Sequence, residues 1–265
     1  MNTFAYQGGD GCPLYATTVG SAGPPLLLLH GGGPDHHSLL PLAHRLADLH
    51  TVILPDVRGY GRSICADPAR HTWDQYTCDV ISLMDHLGIE SAALGGTGLG
   101  ATVTLRAALA HPDRVRAAIL IGVEDIEDDP AKEAETAFLD AFAARVLADG
   151  IEAAWAPILE QFPPVIGALV RDAIPRSDPA SIAAAAAIGH DRAFRDIDEL
   201  AAVRSPALVI PGTDARHPTE LAEHVVRILR QGHLAPVSVS SDLRSADDLA
   251  AAVAPAVRAF LSGLR

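Results

Sequence analysis

Short, mostly apolar runs recur along the chain at residues 25–29, 51–54, 91–94, 117–121, 207–210 and 237–240, each closed by glycine, proline or another turn residue. Runs of this length with little alternation suit strands buried on both faces of a parallel sheet. Longer stretches at 38–49, 73–87, 100–111, 218–230 and 246–261 place apolar residues at helical spacing between those runs. Such strand–helix alternation predicts an α/β fold, an open and mostly parallel central sheet with helices on both faces. Residues 3–19 read as a hairpin turning at Gly8-Gly9-Asp10-Gly11. From 125 to 200 no strand pattern occurs. That stretch is Ala-rich and helical, punctuated by Pro157, Pro163-Pro164, Pro175 and Pro179, and its alanine run at 183–187 reads as an ordinary helix. The expected organisation is a core built from 1–124 and 201–265, with 125–200 inserted as a helical cap.

Composition narrows the function classes. The chain has 265 residues, is 49% hydrophobic and 20% charged, which permits a substantial core and excludes a disordered polymer. Its formal net charge is −13, Lys132 is the only lysine, and no basic run exists, so no nucleic-acid partner is expected. Cys12, Cys65 and Cys78 lack the number and spacing of a disulfide framework or a zinc site. The first ten residues carry no signal-peptide pattern, and the most apolar run, 26–29, is too short to cross a bilayer. These features lead to the expectation of a cytoplasmic protein with no membrane partner, reduced thiols and no metal.

The turns after the predicted strands carry the chemistry. They read His30-Gly31-Gly32-Gly33-Pro34, then Asp56-Val57-Arg58-Gly59-Tyr60-Gly61-Arg62-Ser63, then Gly96-Thr97-Gly98-Leu99-Gly100-Ala101. The helix after the third turn ends in His111-Pro112-Asp113-Arg114-Val115, and the run at 207–210 leads into Pro211-Gly212-Thr213-Asp214 and His217-Pro218. In this order and spacing the motifs resemble the α/β-hydrolase superfamily over nearly the whole chain. The resemblance implies an oxyanion hole from the backbone N–H groups of Gly32 and Leu99, and a cap that shapes the pocket. It also implies a nucleophile elbow of the form G-x-S-x-G, in which Gly96 and Gly100 match the flanking glycines and Gly98 stands where the serine belongs. Reading Thr97 as the nucleophile puts Leu99 where close packing needs glycine, and sets a β-branched residue in a strained turn. The family histidine follows the last strand, where this chain has only 240–245, without a histidine, and His233 lies before the predicted strand. Asp214 matches the acid after the seventh strand, and Glu124 an alternative acid after the sixth. In lacking the serine and the late histidine, the chain is similar to the N-myc downstream-regulated pseudo-hydrolases. The resulting expectation is that no imidazole faces the elbow.

Other readings compete. Gly96-x-Gly98-x-x-Ala101, with Glu124 after the next strand, also fits a dinucleotide fingerprint, although that motif belongs in the first βαβ unit of its fold. Asp35-His36-His37 adjoins the oxyanion turn, which makes His36 a candidate proton carrier, and His37 and Arg62 candidate substrate contacts. His30 reads as a residue that pins its turn, and the resemblance implies that Asp56 and Arg58 hold theirs. His217 is either a displaced base or a solvent-facing residue. Trp73, Trp155 and Phe162 belong to the core or the cap lining, and the acidic run 124–129 reads as a hinge. The combined expectation is a small carbonyl-bearing ligand handled without a cofactor, by Asp214, Glu124 or a histidine, in a lyase-, isomerase- or cyclase-like reaction. The alternatives are a catalytically silent ligand-binding or scaffold protein, and a hydrolase with another nucleophile or an attacking water.

Overall fold

The computed structural model describes residues 1–265 except Ala22, Glu127 and Arg265. Among the described residues eight strands form one sheet: β1 (Asn2–Gln7), β2 (Pro13–Val19), β3 (Pro25–Leu29), β4 (Thr51–Pro55), β5 (Ala92–Thr97), β6 (Val115–Ile121), β7 (Ala207–Ile210) and β8 (Gly232–Leu234). Their spatial order is β1-β2-β4-β3-β5-β6-β7-β8. The pairs β1–β2 and β2–β4 are antiparallel, and every later pair is parallel. The observed architecture is therefore the α/β-hydrolase arrangement. The central strands β3, β4, β6 and β7 are almost wholly buried, which is why their sequences run apolar without alternation.

The helices are α1 (Leu40–Leu46), α2 (Trp73–His86), α3 (Leu99–Ala110), α4 (Asp129–Asp149), α5 (Ile151–Leu159), α6 (Pro164–Ala173), α7 (Pro179–Ala185), α8 (Thr219–Ile228) and α9 (Ala246–Gly263). One face of the sheet is covered by α2, α3 and α8, through residues such as Tyr76, Leu83, Val103 and Val225. The other is covered by α1 and α9, through Leu42, Leu46, Val253 and Val257. Side-chain caps start several of these helices: Thr72 accepts from the Gln75 N–H, Asp128 from Ala131 and Ser245 from Asp248. Between β6 and β7 the regular elements among the described residues are helices and 3-10 turns. Phe142, Val146, Ile151, Ala154 and Ile182 there make a separate apolar cluster.

Two elements differ from the sequence expectation. The last strand is Gly232–Leu234 rather than 237–240, so His233 sits within it, its ring tilted against Phe260. It is a short, largely exposed edge strand and carries no apolar run. Pro236 then cannot donate to a ladder, and Val239 makes only an isolated bridge to Gly212. The stretch 38–49 splits into a 3-10 turn (His36–Leu39) and α1, because Pro41 lacks the N–H that a continuous helix would use.

Candidate active site

The site begins where β5 meets α3. Gly98 has φ 50° and ψ −117°, a left-handed turn that L side chains adopt only under strain, and Leu99 opens the helix directly after it. The flanking glycines allow the close packing this turn needs. A Cβ on Gly96 would lie 2.5 Å from the Gly100 carbonyl carbon, and one on Gly100 would lie 2.3 Å from the Leu29 carbonyl oxygen. At the tip, a Cβ on Gly98 would lie 2.6 Å from Glu124 Oε1 and 3.6 Å from His217 Nε2. The volume in front of the turn thus holds a carboxylate backed by an imidazole.

That arrangement corrects the expectation that no imidazole faces the elbow. His217 is not solvent-facing, since its side chain is only 12% exposed. It reaches the elbow from the loop after β7. The Asp214 carboxylate accepts the backbone N–H groups of Arg216 and His217, folding the loop into a tight turn, and also binds His217 Nδ1 at 3.0 Å. The far ring nitrogen, Nε2, then lies 3.4 Å from Glu124 Oε2. Gly212 makes room, because a Cβ there would lie 2.4 Å from His217 Cβ. Burial opposes charge on His217, but its bonds to Asp214 and Glu124 outweigh that, pushing its pKa up to about 9. Burial likewise opposes ionisation of Glu124, but Arg216 and His217 outweigh it and hold the carboxyl at about 2. The pair therefore rests as carboxylate and imidazolium.

Arg216 ties this pair to the helices above the sheet. Its Nε donates to Glu124, while its two terminal nitrogens grip the Glu135 carboxylate of α4 at 2.9 and 2.8 Å. The Leu99 N–H opens α3 and so has no intrahelical acceptor. Gly32, in the turn after β3, lines the same cavity as Leu99. His30 fixes that turn, with Nδ1 bonded to the Gly31 carbonyl and Nε2 accepting the Val57 N–H. A cavity of about 160 Å³ joins these parts. Gly32, Gly98, Leu99, Glu124, Asp214 and His217 line its base, and Phe138, Phe142, Trp155 and Phe162 line its helical side.

The other sequence candidates distribute plainly. Thr97 lines the cavity, and its hydroxyl lies 3.4 Å from a Cβ built on Gly31. His36, His37 and Arg62 do not line it. His36 is buried, with Nδ1 on Asp56 and Nε2 on the Thr17 hydroxyl, so its ring holds the β4 turn. His37 bonds Asp35, and Arg62 lies over the Tyr15 ring. Asp35, His36 and His37 come within reach of a common ion, yet Asp35 is already gripped by Arg176. Asp56 accepts the His36 and Arg62 N–H groups, and Arg58 pairs with Asp10 and Asp79, so both hold turns. Trp73 is buried at the cavity wall. Of the acidic run 124–129, Glu127 lies outside the described residues. Glu124 itself is engaged with Arg216 and His217, not presented to a ribose at the end of a strand. Sequence reasoning passed over Arg216 and Tyr60. The signal for Arg216 was its place between Asp214 and His217.

Comparison with known proteins agrees with this architecture. A 2-hydroxymuconate semialdehyde hydrolase from Pseudomonas sp. (strain CF600) is 35% identical over 107 residues, 38% of this chain and 37% of that protein. The chain thus aligns with little more than a third of that curated relative's length. Among solved structures, a thermophilic esterase from Thermogutta terrifontis superposes with TM-score 0.82 at 25% identity, covering 100% of this chain and 99% of that one. The bottromycin epimerase BotH superposes with TM-score 0.76 at 22% identity, covering 98% and 100%, and at that identity shares the fold alone. The sequence pattern of the alpha/beta hydrolase fold matches residues 24–161, just over half of the chain. This protein belongs to the alpha/beta hydrolase family.

Proposed function

We propose that this protein transforms a small carbonyl compound by acid–base chemistry, as an isomerase or lyase does, without a serine nucleophile. One observation carries the reading: a carboxylate oxygen occupies the position in front of the elbow where a nucleophilic side chain would stand, 2.6 Å from the Cβ site of Gly98. An ionised carboxylate there is a base for a proton on the carbon next to a carbonyl. The electron pair moves onto the carbonyl oxygen, and the Gly32 and Leu99 N–H groups hold the resulting oxyanion; one such donor is worth about 10²–10³ in rate. The His217 imidazolium returns a proton to carbon, or protonates a departing group. Glu124 then passes its own proton to His217 across their 3.4 Å separation, which restores the starting state. Asp214 positions the ring and stabilises its charge, as the third member of a triad does.

A second reading uses the same carboxylate. Paired with Arg216 and held at about 2, Glu124 is a weak base, which favours a catalytically silent pseudo-hydrolase that only binds its ligand. Incubation with a panel of aryl ketones, β-hydroxyketones and aryl esters, followed by mass spectrometry, separates the two. The proposal expects a ketone to be consumed, expects Glu124→Gln to abolish that turnover, and expects no labelling by a fluorophosphonate. A retained but unchanged compound supports the binder. Ester turnover with covalent fluorophosphonate labelling overturns both.

A further inference from the structure

The geometry points to Tyr60 as a third donor of the oxyanion hole, its hydroxyl giving a hydrogen bond to an enolate oxygen already held by the Gly32 and Leu99 N–H groups. This rests on the proposed function and deepens it, because it names the intermediate the site favours. Tyr60 lies in the turn after β4 and lines the cavity. Its hydroxyl is the nearest atom to a Cβ built on Gly32, at 3.7 Å, so it stands over the same turn to which the proposed function assigns an oxyanion donor. Among the described residues no protein acceptor takes this hydroxyl. The ring does not swing freely. It packs edge-on against His30 at 5.5 Å, and its backbone N–H is fixed on the Val57 carbonyl at 2.9 Å.

The protonation state suits the role. Burial first, and then the Glu124 and Asp125 carboxylates, push Tyr60 ionisation well above the usual range, so the phenol remains a donor wherever Glu124 is charged. The same Glu124 therefore bears on both partners: it is the base that generates an enolate, and before that step its carboxylate adds to the burial that already keeps the phenol protonated. A phenol and an enol are acids of similar strength, so this donor matches an oxygen on flat, sp² carbon. The glycine leaves that space open, because the Tyr60 hydroxyl is the one atom within 4 Å of a Cβ built there.

The test uses 2-naphthol, whose phenolate presents a negative oxygen on a flat carbon, with naphthalene as the matched compound lacking that oxygen. Its fluorescence reports both binding and ionisation, whatever the activity of the protein. Tyr60→Phe should weaken naphtholate binding by about tenfold to a hundredfold, the worth of one hydrogen bond to a charged acceptor, and leave naphthalene binding unchanged. Gly32→Ala is the second variant. Its methyl fits without backbone strain yet intrudes between the hydroxyl and the turn, so it should weaken naphtholate in the same way. Failure of the wild-type protein to bind naphtholate overturns the inference, as does equal binding by Tyr60→Phe and wild type. Naphtholate binding that depends on Tyr60, in a protein without ketone turnover, leaves this inference standing and rejects the catalytic reading alone. Ketone turnover unaffected by Tyr60→Phe does the reverse.

Discussion

Consider what a serine at position 98 would meet. Its Cβ would lie 2.6 Å from Glu124 Oε1, closer than such atoms approach, so Gly98→Ser alone must push the carboxylate aside or trap the hydroxyl against it. The imidazole behind it is also in the wrong state. With its pKa near 9, His217 is neutral in about one molecule in a hundred at pH 7. Its rise from 6.5 corresponds to about 3 kcal/mol of preference for the charged form, shared between Asp214 and Glu124. Adding Glu124→Ala removes the obstruction and one of those two anions. A hydroxyl on that Cβ site, 3.6 Å from Nε2, then has an Asp214–His217 pair to deprotonate it, while Arg216 keeps Glu135 as a partner. Each unit by which the His217 pKa falls gives tenfold more neutral base. The double variant should therefore react with a fluorophosphonate at pH 7 at least about tenfold faster than Gly98→Ser, and should show a burst with p-nitrophenyl acetate. Labelling of Gly98→Ser as fast as the double variant would refute the argument that Glu124 occupies that position and charges His217.

Stability should depend on pH in two separate windows. His217 binds its proton more tightly when folded, so its contribution is complete below about pH 6.5 and is lost as pH rises through about 9. Glu124 does the opposite, contributing above about pH 4.5 and losing that contribution as pH falls toward 2. Melting temperatures should decline in both directions, and His217→Gln should flatten the alkaline decline; an unchanged alkaline slope contradicts the assignment. Gly100→Ala forces a methyl to 2.3 Å from the Leu29 carbonyl oxygen and should cost at least about 1–3 kcal/mol in urea unfolding, with a loss near zero counting against the packing argument. Arg216→Gln strips Glu124 and Glu135 of their guanidinium; with the Arg216 side chain 31% exposed, a loss near the lower end of the buried-pair range, about 3 kcal/mol, is expected, together with faster proteolysis within α4. Stability within about 0.5 kcal/mol of wild type would show that Arg216 does not tie α4 to the core.

The fold was legible because its central strands are buried on both faces and its turns need glycine. Gly96 and Gly100 advertise the elbow through steric demands that no other residue meets. β8 was not legible, since an exposed edge strand of three residues needs no apolar pattern. The elbow's own tip, Gly98, was readable as sequence, and so was the acid at Asp214. The position of the base was not. A histidine three residues after the acid points at the elbow only because the Asp214 carboxylate folds that loop back and because Gly122 and Gly212 leave room for the ring. His36 misled for the converse reason: closeness in sequence to the oxyanion turn says nothing about which way a buried ring faces, and Asp56 turns it away.

The central claim is that Glu124 moves a proton at carbon. Nuclear magnetic resonance in D₂O tests it directly, by following the α-hydrogens of a bound benzylic ketone such as 2-tetralone. Exchange for deuterium that is accelerated by the wild-type protein and abolished by Glu124→Gln is the predicted result. Exchange at the same rate with the Gln variant, or no acceleration by the wild-type protein while the ketone is demonstrably bound, contradicts it.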